Sequence, residues 1–229
     1  MGTNNDAAQA YRAARGRILE IVVATADDDL AVRAPATPEW RVRDVLAHLA
    51  GVSADILAGN LDGVASGAWT AAQVDARRGR PVADLVAEWS TKGPQVEELL
   101  GGFPADPVSQ LIADTATHEH DIRGGLETPG ARDSEAVVIG CAWMLRFVGT
   151  ARERAGAGAL AIETERGRRI VGDGEPTGVL RAPEFEVFRA VTGRRAREQI
   201  EAFDWVGDGR PDLLVLAPIF SARTTPLVE

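Results

Sequence analysis

Three histidines and a few carboxylates are the residues of this 229-residue chain whose types and spacing can do chemistry. Two of the histidines, His118 and His120, stand in the stretch TATHEHDIRG, Thr115 to Gly124. Asp114 precedes His118 by four residues and Asp121 follows it by three, so on a helix both carboxylates share a face with that imidazole. His120 lies about 200° around the same helix and is expected to face outward. An inward carboxylate without a partner costs several kcal/mol, and no inward lysine or arginine stands out beside Asp114. A divalent cation fills that need.

The third histidine, His48, falls on the apolar face Val45, His48/Leu49, Val52, Ile56 of an earlier helix, with Asp44 one turn before it. Alone it reads as a hydrogen-bonded core residue. Joined to Asp114 and His118 it completes a set of two imidazoles and one carboxylate, the number of protein ligands that leaves a catalytic zinc a working position. Zinc is the leading expectation, and nickel or iron accept the same donors. Asp121 is then the acceptor that orients a ligand histidine.

These residues need long helices to position them. Apolar positions at Ala7, Ala10/Tyr11, Ala14, Ile18, Ile21/Val22 and Thr25 predict a first helix from Asn4 to about Asp27. In TPEWRVRD, Thr37 as cap and Pro38 at the first helical position predict the start of a second, running to about Gly59. The Gly- and Ala-rich LDGVASGAW reads as a connection. Next come a helix with a bend at Gly93-Pro94, stopping at Gly101-Gly102, one from Val108 to about Leu126, and one from Ser134 to about Arg154.

Long helices joined by modest loops predict an up-and-down four-helix bundle. Beyond RAGAGAL the texture changes. ALAIETERGRRIVGDG predicts two short strands turning near Arg166-Gly167, and APEFEVFRAVTGRRAREQI a helix capped by Gly193 and followed by an extended segment. The expected organisation is therefore a helical domain over 1–156 and a small α+β domain over 157–229, with the boundary near Gly156 to Gly158.

Composition narrows the partners. A formal net charge of −9 argues against nucleic acid or anionic lipid surfaces. The longest apolar runs, Val137 to Leu145 and Leu213 to Phe220, are far short of a membrane span. The polar start MGTNNDAAQA lacks a secretory pattern and the single cysteine, Cys141, has no internal disulfide partner, so a reducing cytoplasm is the expected compartment. Cys141, Trp89, Trp143 and Trp40 read as packing residues, and ARRGR, Ala76 to Arg80, as a solvated loop.

PEWRVRDVLAHLAGV, Pro38 to Val52, and DTATHEHDIRGGL, Asp114 to Leu126, resemble the two metal-binding segments of the mycothiol-dependent maleylpyruvate isomerase family, part of the DinB-like group of metal-binding four-helix bundles. FRAVTGRRAREQIEAFDW, Phe188 to Trp205, resembles a C-terminal stretch of its relatives. The resemblance implies metal ligation by His48, Asp114 and His118, with no role for His120. The isomerases carry Glu where this chain has the shorter Asp114, and Arg41 stands where relatives carry a capping Ser or Thr.

The same resemblance implies that mycothiol is a thiol cosubstrate. A metal-held thiolate would either isomerise a cis unsaturated keto acid to the trans acid or transfer to a small electrophile. A substrate carboxylate would meet an arginine fork, for which GRR offers Arg194 and Arg195. The expected assembly is a monomer or homodimer. A non-catalytic small-ligand-binding protein with a structural metal, and a metal-dependent hydrolase, are the alternatives.

Overall fold

The first helix buries Ala10, Tyr11, Ala14, Ile18 and Val22 along one face, as its spacing predicts. The computed structural model describes residues 4–216 and 220–229; the first three residues of the N-terminal stretch and residues 217–219 of the apolar run after Leu213 lie outside them. Contacts divide the chain into two units, Met1–Gly130 with Glu229, and Ala131–Val228.

The first unit holds α1 (Asn4–Ala24), a short hairpin of β1 (Arg33–Ala34) and β2 (Thr37–Arg41), α2 (Val42–Ala58), α3 (Gly67–Asp75), α4 (Val82–Leu100) and α5 (Ala105–Gly125). Its four long helices close a ring of contacts, from α1 to α4, α2, α5 and back to α1. The expected four-helix bundle is thus complete by Gly125. Neighbourhood in the ring does not follow chain order, and this sets α2 beside α5. Ile18, Leu46, Leu85, Trp89 and Ile122 fill the centre.

Two local expectations need correction. Thr37 and Pro38 do not start α2: they lie in β2, antiparallel to β1, where the missing proline donor is tolerated in a two-stranded edge. The helix begins at Val42, and the Asp44 carboxylate accepts from the Arg41 backbone N–H at 2.9 Å, so Asp44 serves the helix end. The connection after α2 contains α3, whose N-cap Ser66 accepts from the Trp69 N–H at 3.2 Å. As expected, α4 is one helix that contains Pro94 and stops at Gly101. Gly93 leaves room for Arg15 to cross, since a Cβ there would lie 2.5 Å from Arg15 Cδ, and Arg12 and Arg15 both reach Glu97, at 2.7 and 2.6 Å.

The second unit holds α6 (Glu135–Arg154), β3 (Ala159–Thr164), β4 (Gly167–Val171), β5 (Pro176–Arg181), α7 (Glu184–Val191), α8 (Arg197–Glu201) and β6 (Asp204–Gly207). The predicted hairpin is β3–β4, with Thr164 opposite Gly167. The sheet order is β4-β3-β5-β6, with β3 and β5 parallel and the other pairs antiparallel.

The division falls at Gly130, ahead of α6, and not at the expected Gly156 to Gly158. The reason is packing: α6 lies on α7, β3 and β4. Its Gly149 comes so close to the Gly172 backbone that a Cβ would lie 2.9 Å from Gly172 N. Its buried Arg152 donates to the Gly158 and Gly209 carbonyls at 2.8 and 2.9 Å. Among the described residues no helix is long and apolar enough to cross a membrane.

Candidate metal centre

His48 of α2 faces the turn of α5 that carries Asp114 and His118. Its Nε2 lies 3.2 Å from Asp114 Oδ2 and 3.4 Å from Oδ1, and His118 Nε2 lies 3.5 Å from Asp114 Oδ1. The two imidazoles meet edge to face with centroids 4.8 Å apart. One donor atom from each of the three residues lies within 4.8 Å of the others. The fold therefore gathers the three expected ligand residues, from positions 66 residues apart in the case of His48 and Asp114.

Both imidazoles are held from behind. His118 Nδ1 is 2.9 Å from Asp121 Oδ2, and Asp121 is fully buried, the orienting place expected for it. His48 Nδ1 is 2.7 Å from Gln73 Oε1. A carboxylate only accepts, so His118 carries its proton on Nδ1 and turns a lone pair on Nε2 toward Asp114. Burial lowers the His118 pKa below the ordinary imidazole range; the opposing pull of Asp114 and Asp121 is smaller. Neutral imidazole is the form that binds a metal.

In the neutral rings the two Nε2 atoms and the Asp114 carboxylate thus converge as three acceptors. An electropositive species at their centre satisfies all three at once, and the donor set, two imidazoles and one carboxylate, is one that zinc accepts. The Trp40 ring packs over both imidazoles, at 5.3 Å from His48 and 5.8 Å from His118. His48 and His118 are buried, whereas the Asp114 side chain is 33 % exposed, so solvent reaches the group through its carboxylate.

His120 differs from expectation: it is 3 % exposed, not outward-facing. Period-based reasoning assumes one buried face, but α5 is buried without a break from Thr115 to Ile122. On another side of this helix Glu119 is fully buried between Arg17, at 2.8 and 2.7 Å, and Arg123. Gln73 carried no sequence signal, because it stands on α3, just beyond the stretch read as connection and in no predicted element. Trp40 was visible only as a packing residue.

Arg194 and Arg195 belong to the second unit. Arg194 donates to the Thr192 carbonyl at 2.6 Å. Arg195 is 1 % exposed, and both arms of its fork meet Glu186, at 2.6 and 3.0 Å. Trp89 is a core residue donating to Tyr11 Oη at 3.2 Å, and Trp143 packs edge to face on Phe147. Cys141 is buried and its thiol is pushed well up, first by burial and then by Glu184, which leaves it a poor nucleophile.

Comparison with known proteins places this geometry. A crystal structure of a mycothiol-dependent maleylpyruvate isomerase, in a histidine-to-alanine variant, is similar over 85 % of this chain and 92 % of its own, with a TM-score of 0.59 and 11 % identity. That likeness concerns the fold. No curated protein sequence matches the chain. Residues 11–138, more than half of the chain, match the family model described as the mycothiol maleylpyruvate isomerase N-terminal domain, and the matched span contains α2, α5, His48, Asp114 and His118. The chain belongs to the mycothiol maleylpyruvate isomerase N-terminal domain family.

Proposed function

We propose that the protein is a metal-dependent and mycothiol-dependent enzyme, an isomerase or S-transferase acting on a small electrophile such as an unsaturated keto acid. The observation that carries the proposal is the convergence of His48, Asp114 and His118, each offering an acceptor atom within 4.8 Å of the others, inside a chain of this family. A divalent cation, zinc first and nickel or iron after it, would supply at that point the positive charge that holds a thiol as its thiolate near neutral pH.

The chain's own residues prepare the place. Asp121 keeps the proton on His118 Nδ1 so that Nε2 is available. Trp40 packs against both rings and helps to fix their orientation. Asp114, the most exposed of the three, marks the side from which thiol and electrophile arrive. In the isomerase form a cis keto acid leaves as the trans acid after reversible thiol addition; in the transferase form the thiol stays attached. Of the two arginines expected to meet a substrate carboxylate, Arg194 is the proposed partner, since the Arg195 fork is engaged by Glu186. We place the enzyme in the cytoplasm, as a monomer or homodimer.

The test is turnover of maleylpyruvate and of a halogenated electrophile by the zinc-loaded protein, each with and without mycothiol. Mycothiol-dependent loss of either substrate supports the proposal. Metal-dependent hydrolysis that ignores the thiol, or ligand binding without turnover, sinks it.

A further inference from the structure

Gln73 is a neutral amide placed where a metal-site histidine usually meets a carboxylate or a carbonyl. It is buried, and its side chain bridges two groups: Oε1 is 2.7 Å from His48 Nδ1, and Nε2 donates to Asp55 Oδ2 at 2.7 Å. Asp55 can only accept, so it fixes which way the amide points. The NH2 must face Asp55. The oxygen then faces His48, Nδ1 must hold a proton, and in the neutral ring, the form that binds a metal, Nε2 is the lone pair toward Asp114.

The rest of the local architecture serves this bridge. An added Cβ at Gly51 would lie 2.6 Å from Gln73 Cβ and 2.8 Å from its Cγ, so a glycine one turn after His48 is what lets α3 lie close enough for the amide to reach the ring. At the C-terminal end of α3, Arg77 donates to the Gln73 carbonyl at 3.1 Å and pairs with Glu88 of α4 at 2.7 Å. The amide is therefore held from its backbone, its side chain and the facing helix.

Building on the metal role given above, we propose that Gln73 is a positioning residue: directed by Asp55 and admitted by Gly51, it sets the tautomer and ring orientation of His48 and thereby the metal affinity of the centre. His118 is set by a carboxylate, Asp121, and His48 by an amide whose direction is itself dictated by a carboxylate.

The experiment is a cobalt titration of the full chain stripped of metal, following visible absorption, with thermal unfolding of each metal-free variant as the check on folding. The wild-type protein is expected to bind about one cobalt ion per chain in a four- or five-coordinate spectrum. Gln73→Leu is expected to weaken binding roughly 10- to 100-fold and to alter the spectrum. Gln73→Glu alone sets two carboxylates against each other and is also expected to be impaired. Asp55→Asn combined with Gln73→Glu restores a donor facing an acceptor and is expected to recover binding to within about threefold. That rescue keeps the test decisive even if Gln73→Leu does not fold. A wild-type chain that binds no cobalt overturns the metal role itself. A wild-type chain that binds, with Gln73→Leu matching its affinity and spectrum, or with the double variant no better than Gln73→Glu, overturns the role of Gln73 alone.

Discussion

Nε2 of His48 lies 3.2 Å from Oδ2 of Asp114, and in the neutral ring, with the proton on the Nδ1 that faces Gln73, Nε2 presents a lone pair there. An imidazole lone pair and a carboxylate are both acceptors and come together around a positive centre, a proton or a metal cation. A divalent cation between them satisfies both, which ties metal affinity to the negative charge of Asp114.

Asp114→Asn keeps the shape and removes the charge, and it is expected to lower zinc affinity by more than about 100-fold in chelator competition. Asp114→Glu keeps the donor type found in the isomerases and is expected to stay within roughly tenfold of wild type. Equal affinities for the two variants would contradict a ligand role for this carboxylate.

Gly51→Ala forces contact with Gln73 inside a packed interface. We expect a loss of about 1–3 kcal/mol in denaturant unfolding, accompanied by weaker metal binding because α3 must retreat from His48. Gly59→Ala gives a useful contrast. It strains the left-handed end of α2 at a φ of +69°, where an added Cβ meets nothing, so it should cost stability of about 1 kcal/mol and leave metal affinity unchanged.

How much of this was legible in the sequence depends on distance along the chain. Asp114, His118 and Asp121 sit within one helix, where spacing alone fixes a shared face. His48 could be joined to them only through a bundle whose ring order is not its chain order, and the family resemblance supplied that link. Gln73 stayed hidden because α3 is nine residues long and only Gln73 and Val74 on it are buried, too little to leave a periodic signature. His120 was misplaced because α5 is enclosed over Thr115 to Ile122. The fifth long helix was counted with the bundle because an amphipathic period does not say what the apolar face packs against; in α6 it meets α7 and the sheet.

Glu88 ties α3 to α4 and gives the pH dependence. Burial raises its pKa, but hydrogen bonds from Arg77, Lys92 and Arg80 outweigh that and hold it at about 2, below the ordinary 4.5. A depressed carboxyl pKa contributes stability that is present above about 4.5 and lost as pH falls toward 2. Thermal unfolding should therefore show a Glu88-dependent decline across that window. Glu88→Gln should be less stable at pH 7 by about 1–2 kcal/mol, allowing for solvent screening of Arg80 and Lys92, and the gap should close near pH 2.

Arg195 and Arg194 call for different variants. Arg195 is buried in its pair with Glu186, and Arg195→Ala is expected to destabilise by about 3–5 kcal/mol. Arg194→Ala tests the proposed carboxylate contact, with KM for an anionic substrate expected to rise roughly tenfold or more. A KM that does not move would remove Arg194 from the substrate site.

The central claim, that His48, Asp114 and His118 hold a divalent metal, is tested most directly by elemental analysis of untagged protein, purified without chelator, beside its His118→Ala variant. The prediction is about one equivalent of zinc, nickel or iron per wild-type chain and less than about a tenth of an equivalent in the variant. Less than a tenth of an equivalent in the wild type, or equal loading in both, would contradict it.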